Sequence, residues 1–250
     1  MSAYRSLCTE FYDLDKPSAP ADALAFYLNR ARKAGSRILE PMCGSGRFLL
    51  PMAQAGVTID GVDSSAEMLA ACRARARSLG LEVTVFMQEL ASLQLEGRYT
   101  MAFIPSGSIG LVTKDEVLRE ALSRLHAHLQ PNGALLLEVE CDAGPSVTPT
   151  ELEAREVLCQ DGTSITYTCT ATRSQTRDTI CYSGTYSKRQ GARTIETESE
   201  ELVLRVYAPQ QIASELEACG FKTTTVTTAA DLPFLAASGC VLVEARADAS

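Results

Sequence analysis

The sequence lacks long hydrophobic runs, and its basic residues are in the minority. No run of about twenty apolar residues occurs, which excludes a membrane-spanning helix, and no apolar signal segment opens the chain. The chain has 23 Lys and Arg against 31 Asp and Glu, a formal net charge of −8. Because binding to a phosphate backbone requires a basic face, this charge argues against a nucleic-acid partner.

Histidines are scarce, and the cysteines form no paired motif. His126 and His128 stand two positions apart on a predicted helix and so lie on different faces, which predicts neither a metal site nor a catalytic base. The nine cysteines are odd in number, and none is arranged as C-x-x-C. We therefore expect reduced thiols, a cytoplasmic protein and no metal.

One segment, Arg37–Met52, has the pattern of a turn that binds a nucleotide cofactor. Its first residues predict a short buried strand, the glycines of Cys43–Gly46 predict a tight turn, and a helix is expected from about Arg47 to Gly56. Glycine reaches backbone angles closed to other residues and lets a ligand lie against the peptide plane. The helix would direct its free N–H groups and the positive end of its dipole at the turn.

The residues around this turn favour a cationic cofactor over a dinucleotide. The dinucleotide pattern G-x-G-x-x-G is weakened, though not excluded, because Leu49 replaces its third glycine. Glu40 stands just upstream, and a carboxylate suits ammonium and sulfonium groups better than phosphates. Here the sequence resembles the class I S-adenosylmethionine-dependent methyltransferases, whose first motif is an acidic residue followed shortly by G-x-G. The resemblance implies that the methionine part of the cofactor contacts Glu40, Cys43, Gly44, Ser45 and Gly46.

Two further strands are expected to end at the same site. Val57–Val62 predicts a strand that ends at Asp63, whose carboxylate can accept hydrogen bonds from both hydroxyls of a ribose. Ser64 and Glu67 form a capping box that predicts the next helix. Leu81–Met87 predicts a third strand that ends at the sheet edge where open α/β folds bind ligands. By resemblance, the nucleoside also contacts Ser64, Met68, Gln88, Glu89 and Leu90.

A fourth strand, Tyr99–Pro105, is followed by a glycine-rich turn. The resemblance places Pro105 beside the transferred methyl group, and we expect Ser106 and Ser108 to orient the acceptor. A hydrolase nucleophile is the alternative role for Ser108. Its pattern G-x-S-x-G fails, because Ser106 stands where a glycine is required.

The order of the predicted elements indicates an α/β fold with an inserted antiparallel sheet. Strands alternate with helices as far as a fifth strand, Ala134–Glu140, which predicts a doubly wound, mostly parallel sheet. From about residue 151 to 207 the helical period gives way to alternating runs rich in Thr, Val and Tyr. The resemblance implies seven strands in the main sheet. The last two, Phe221–Thr228 and Gly239–Ala247, would form a reversed hairpin.

We expect the chain to divide into three segments. Residues 1–150 would form the cofactor-binding core with an N-terminal lid, 151–207 a wall of the substrate pocket or a homodimer surface, and 208–250 the end of the core sheet. The segment through Pro20 shows no clear period, so a loop or short turn is expected there. The resemblance implies that Tyr12 belongs to the lid. The alternative is that Tyr12 packs on the outer face of the sheet.

The resemblance implies transfer of a methyl group from S-adenosylmethionine to N, O or S of a small molecule by in-line displacement. The protein then mainly aligns the reactants and excludes water, while a hydroxyl acceptor also requires a base. By predicted placement, Tyr12, Glu140 and Tyr207 are candidates for that base, and Arg205 for pairing with a substrate carboxylate. Two alternatives remain open, a nicotinamide-dependent oxidoreductase and a protein that binds S-adenosylmethionine without catalysis.

Overall fold

The computed structural model describes residues 4–141, 147–175 and 178–248. Its helices are α1 Ser6–Asp15, α2 Ala21–Ala34, α3 Leu49–Gln54, α4 Ala66–Ser78, α5 Asp115–His128 and α6 Pro209–Ala218. Its strands are β1 Ile38–Pro41, β2 Ile59–Asp63, β3 Thr84–Met87, β4 Tyr99–Ile104, β5 Leu129–Glu140, β6 Thr150–Glu151, β7 Arg155–Leu158, β8 Ser164–Arg173, β9 Thr179–Gln190, β10 Arg193–Arg205, β11 Phe221–Thr227 and β12 Cys240–Ala247.

Seven strands form the central sheet in the order β11-β12-β5-β4-β1-β2-β3. Strands β1 to β5 run parallel to their neighbours, whereas β12 runs antiparallel to both β5 and β11. All four residues of β1 are buried, as expected of a strand covered by helices on both faces. The structure therefore confirms the predicted doubly wound sheet with a reversed final hairpin.

Two apolar clusters cover the two faces of this sheet. On one face, helices α5 and α6 bury Leu122 and Leu216. On the other face, helices α2, α3 and α4 bury Tyr27, Leu49 and Leu69. Each such side chain contributes about 1.5–3 kcal/mol when fully buried. Because the helices pack along the faces, the site described below forms at the carboxyl ends of the strands.

The segment after β5 forms a second, antiparallel sheet, as predicted. Its strand order is β10-β9-β8-β6, and β7 also pairs with β8. Strands β9 and β10 form a long hairpin that turns at Gly191, which has a φ of 59°. Strand β10 is one edge of this sheet, and it contacts the short helix Ser108–Leu111.

The N-terminal segment is a helix, which corrects the predicted loop. Helix α1 packs on the second sheet by burying Leu7, Cys8 and Phe11 beside the ring of Tyr186. The carboxylate of Glu198 accepts hydrogen bonds from the backbone nitrogens of Leu7 and Cys8, at 3.3 and 3.2 Å, and so satisfies the start of the helix. Because this partner lies about 190 residues away on β10, the local sequence gives no sign of it.

The start of α4 also differs from the prediction by one residue. Ser65, not Ser64, is the N-cap, and its hydroxyl oxygen accepts a hydrogen bond from the Met68 nitrogen at 3.1 Å. The Ser65 nitrogen donates to Oδ1 of Asp63 at 2.9 Å, so the turn after β2 is held by the aspartate itself. Ser64 is thereby left exposed at the end of the strand.

Replacing the N-cap should lower stability measurably. Ser65→Ala removes the acceptor for Met68 and should reduce the free energy of unfolding in urea by about 1 kcal/mol. Ser64→Ala is the matched control and should change it by less than about 0.5 kcal/mol. An equal loss in both variants would show that the cap is wrongly assigned.

Candidate active site

A cavity of about 590 Å³ lies at the carboxyl ends of β1, β2 and β4. Helix α1 contributes Tyr12 to its lining, and β10 contributes Glu201–Val203. The predicted site residues that line it are Tyr12, Glu40, Cys43, Gly44, Asp63, Ser64, Met68, Gln88, Glu89, Leu90, Pro105, Ser106 and Ser108. We call the part around Glu40, Asp63 and Met68 the cofactor side. The part around Ser108 and Glu201–Val203 is the acceptor side.

The glycine turn has the backbone geometry that the sequence predicts. Gly44 and Gly46 have φ angles of 54° and 83°, in the left-handed region that favours glycine. Met42 also has a positive φ, 59°, and lines the cavity. Helix α3 begins only at Leu49 and has six residues, so it is shorter than predicted. A ligand at this turn would therefore depend on its backbone and side chains more than on a helix dipole.

Asp63 connects the glycine turn to the end of β2. Its Oδ2 accepts a hydrogen bond from the Gly44 nitrogen at 2.8 Å, and its Oδ1 accepts one from the Ser65 nitrogen at 2.9 Å. Burial raises the pKa of Asp63, and these backbone hydrogen bonds act against the increase. Each carboxylate oxygen keeps a further lone pair, so the group can also accept hydrogen bonds from a ligand.

Glu40 is a buried carboxylate with an unsatisfied oxygen. Its exposed fraction is 2%, and Oε2 has no hydrogen-bond partner among the residues that the structure describes. Burial raises the pKa of Glu40 well above its usual value, while the positive charge of Arg47 partly opposes the increase. A buried polar atom without a partner is costly, so this oxygen is a candidate contact for a cationic ligand.

Arg47 lies where the glycine turn meets the acceptor side. Its Nη1 donates to the hydroxyl of Tyr12 at 3.4 Å, and its Nη2 donates to the hydroxyl of Ser106 at 3.1 Å. Both partners are neutral, so the guanidinium keeps its positive charge available to an anion in the cavity. The sequence analysis missed this residue, although a cation directly after a glycine turn is a signal that could have identified it.

The predicted cofactor contacts Ser45 and Gly46 do not line the cavity. The Ser45 hydroxyl donates to Oδ1 of Asp13 at 2.5 Å, which joins the glycine turn to α1. A Cβ atom on Gly46 would meet Cys72 of α4 and Leu50 of α3. Cys43 and Gly44 therefore line the cavity, whereas Ser45 and Gly46 do not, so only part of the predicted motif lies at the site.

Ser106 adopts a strained conformation that two buried residues support. Its φ is 60°, and its nitrogen donates to Oε2 of Glu138 at 2.8 Å. The other carboxylate oxygen of Glu138 accepts a hydrogen bond from the Tyr27 hydroxyl at 2.7 Å. A non-glycine residue at positive φ is unusual and is often found at functional sites. The sequence did not identify Glu138 or Tyr27, because their roles depend on contact between distant elements.

Three predicted acceptor residues lie away from the cavity lining. The Tyr207 side chain is 1% exposed, and its hydroxyl donates to the Val112 oxygen at 2.6 Å. Arg205 forms an ion pair with Asp115. Glu140 stands on β5, which β4 separates from β1, and its backbone oxygen accepts a hydrogen bond from Tyr207 at 3.0 Å. The predictions relied on the position of each residue near the end of a strand in the sequence. Which of these residues reach the cavity is decided by how the strands are arranged in space.

The nucleoside contact predicted for Gln88 changes in one respect. The Gln88 side chain lines the cavity, but its amide closes its own loop through hydrogen bonds with the backbone of Gln94, at 2.8 and 3.0 Å. Both polar atoms of the Gln88 side chain therefore already have hydrogen-bond partners within the protein. Leu90 and Met68 supply buried apolar surface on this side.

Comparison with known proteins identifies the domain. Residues 38–133 match the family described as a methyltransferase domain. The chain is 29% identical over 142 residues to dTDP-3-amino-3,6-dideoxy-alpha-D-glucopyranose N,N-dimethyltransferase of Streptomyces fradiae, a match that covers 54% of this chain and 54% of that protein. The chain spans about half the length of the curated relatives it matches.

Solved structures share the fold over nearly the whole chain. DesVI of Streptomyces venezuelae superposes with a TM-score of 0.77 at 18% identity, over 98% of this chain and 100% of that one. An S-adenosylmethionine-dependent methyltransferase of Clostridium acetobutylicum gives a TM-score of 0.77 at 14% identity, over 96% and 97%. At these identities the likeness establishes the fold. The matched methyltransferase domain lies within this fold, over residues 38–133.

Proposed function

We propose that the protein binds S-adenosylmethionine and transfers its methyl group to N, O or S of a small molecule. The matched methyltransferase domain and the named relatives support this function. The observation that carries it is Oε2 of Glu40, a buried oxygen without a partner in the described part of the chain, on a residue that lines the cavity. A cationic ligand group would satisfy this oxygen, which a phosphate-rich dinucleotide would not.

The charged residues of the cofactor side fit the polar groups of S-adenosylmethionine. Glu40 would hold its ammonium group, and Arg47 its carboxylate. Asp63 would accept hydrogen bonds from the ribose hydroxyls with the lone pairs that its backbone contacts leave free. Gly44 would let the ligand approach the backbone, and Leu90 with Met68 would cover the adenine ring. Glu40 thus supplies a negative charge for the ammonium group of the ligand, and Arg47 a positive charge for its carboxylate.

When bound, S-adenosylmethionine supplies a methyl carbon that accepts the acceptor's lone pair as the bond from carbon to sulfur breaks. The residues of this chain align the reactants and exclude water, a contribution that can reach several kcal/mol. We assign positioning to Tyr12: burial raises its pKa, so its hydroxyl keeps its proton and orients the acceptor by hydrogen bonding. The Ser106 hydroxyl, held by Arg47, is a second positioning group.

A methyl-labelled substrate screen tests the reaction. The protein should transfer label from S-adenosylmethionine to at least one compound in a panel of small amines, phenols and thiols. A protein that binds the cofactor but labels no compound in a broad panel would instead be a non-catalytic binding protein. A separate titration with S-adenosylhomocysteine measures binding at the cofactor site without methyl transfer, and so distinguishes these two outcomes.

The pH dependence of cofactor binding should depend on Glu40. Burial raises the pKa of Glu40 in the free protein, while pairing with an ammonium group requires the ionised carboxylate. Affinity should therefore increase as the pH rises through that raised pKa. In the same interval the stability of the free protein should fall, because the folded state holds a proton that the unfolded state has lost.

Calorimetry of S-adenosylhomocysteine across pH, with Glu40→Gln as the comparison, measures this linkage. The variant should bind more weakly, with a flatter pH dependence, and its free form should be at least as stable as the wild type because no buried charge remains. An identical pH slope in both proteins would remove Glu40 from the cofactor contacts.

We further propose that residues 1–150 and 208–250 hold the cofactor while 151–207 wall the acceptor side, in a cytoplasmic protein that binds no nucleic acid. All nine cysteines are free in the described residues, which supports a reducing compartment. No helix among the described residues is long and apolar enough to span a membrane.

The exposed side chains Leu158 and Ile195, 79% and 46% exposed, support a homodimer through the second sheet. Light scattering tests the dimer.

A further inference from the structure

The backbone of β10 exposes hydrogen-bonding groups at its free edge in a regular alternation. The Val206 nitrogen donates to the Asp178 oxygen at 2.8 Å, in register with the pairing of β9 and β10. In an antiparallel pair such bonded positions alternate with unbonded ones. From Glu196 onward, beyond the register shift that follows Thr194, even-numbered residues of β10 therefore bond to β9, whereas odd-numbered ones direct their N–H and C=O groups away from it. The Ser199 oxygen agrees with this, since it accepts a hydrogen bond from Arg5 outside the sheet at 2.5 Å.

This free edge is covered at both ends and uncovered between them. Arg5 covers it at Ser199. At the other end the helix Ser108–Leu111 packs so closely that a Cβ on Gly110 would lie 2.8 Å from the Arg205 oxygen. Between these contacts, the N–H and C=O groups of Glu201 and Val203 have no backbone or side-chain partner among the residues described. Proteins usually cover an unpaired edge, so a gap of this kind calls for an occupant.

The uncovered part of this edge borders the cavity. Side chains on β10 alternate between two faces, and those of Glu198 and Glu200 point towards the N-terminal segment, where they accept hydrogen bonds from backbone nitrogens. Leu202 lies on that same face, whereas the side chains of Glu201 and Val203 lie on the opposite one. All three residues nevertheless line the cavity. Glu201 and Val203 therefore border the cavity along the free edge of β10.

We propose that the methyl acceptor carries an amide group, as in an amino-acid amide or a short peptide, and binds by pairing with this edge of β10. Two donors and two acceptors alternate along the edge with the repeat of a strand, about 6.6–6.8 Å for two residues. An extended peptide matches that spacing and alternation, and strand addition is an established mode of peptide binding. Leu202 would then contact a side chain of the acceptor. This inference rests on the proposed methyl transfer.

Binding of alanylalanine amide tests the proposal in the presence of saturating S-adenosylhomocysteine. We expect the wild type to bind this probe by calorimetry or ligand-observed NMR. The ester analogue, which lacks the internal N–H, should bind about tenfold more weakly. Val203→Pro deletes an outward N–H without removing a ladder hydrogen bond and should also weaken the amide about tenfold.

Thr197→Pro is the matched control, because Thr197 shares the outward orientation of Val203 but does not line the cavity. It should leave probe affinity within about twofold. Equal affinity for amide and ester in the wild type would overturn the proposal, even if the proline variants do not fold. So would unchanged affinity in a folded Val203→Pro variant, or no amide binding by a protein that binds S-adenosylhomocysteine. Failure to bind S-adenosylhomocysteine would instead refute the proposed function itself.

Discussion

Asp63→Ala should weaken binding of S-adenosylhomocysteine by more than about 100-fold. The substitution removes the proposed acceptors for two ribose hydroxyls, and hydrogen bonds to a charged group contribute about 1.5–3 kcal/mol each. It also frees the Gly44 and Ser65 nitrogens that the carboxylate holds at 2.8 and 2.9 Å, so the turn itself would be less ordered. Isothermal titration calorimetry measures the change directly.

Two controls make this prediction specific. Glu67→Ala removes a nearby exposed carboxylate that does not line the cavity, and it should leave the affinity unchanged. An analogue of the ligand that lacks both ribose hydroxyls should lose less affinity on the Asp63→Ala substitution than S-adenosylhomocysteine does, because only the effect on the turn remains. Wild-type affinity for S-adenosylhomocysteine in a folded Asp63→Ala variant would contradict the ribose assignment.

Gly46→Ala should lower the free energy of unfolding by about 3 kcal/mol. A Cβ there would lie 2.7 Å from Sγ of Cys72 and 2.8 Å from Cγ of Leu50, both inside the core. Overpacking of this kind costs about 1–3 kcal/mol, and a side chain at a φ of 83° adds about 1–2 kcal/mol. Urea denaturation measures the loss.

Gly80→Ala separates the two contributions to that loss. Gly80 also has a positive φ, 66°, but a Cβ there would meet nothing within 4 Å. Its replacement should therefore cost only the conformational part, about 1–2 kcal/mol. If the two variants lost equal stability, close packing against Cys72 would not be the reason that glycine stands at position 46.

The sequence predicted the parts of the site that depend on local chemistry. The left-handed angles of Gly44 and Gly46, and an aspartate at the end of the second strand, follow from residue type and from the end of a hydrophobic run. The seven-stranded sheet and its reversed hairpin are likewise confirmed. The glycine turn and the aspartate depend on residues close in sequence, whereas the number of strands and the reversed hairpin were implied by the resemblance to the methyltransferases.

The parts that the sequence did not predict depend on contacts between distant elements. Helix α1 is capped by Glu198, and Ser106 is held by Glu138, which Tyr27 also contacts. Arg205 was expected at the acceptor, but its ion pair with Asp115 engages it elsewhere. The free edge of β10 has no signature in residue type at all, because it consists of backbone groups.

The most direct test of the account is calorimetric titration of the full chain with S-adenosylmethionine, S-adenosylhomocysteine and NAD. The account predicts saturable binding of the first two, one molecule per chain, and no measurable binding of NAD. Tight binding of NAD with no response to either S-adenosyl compound would contradict it.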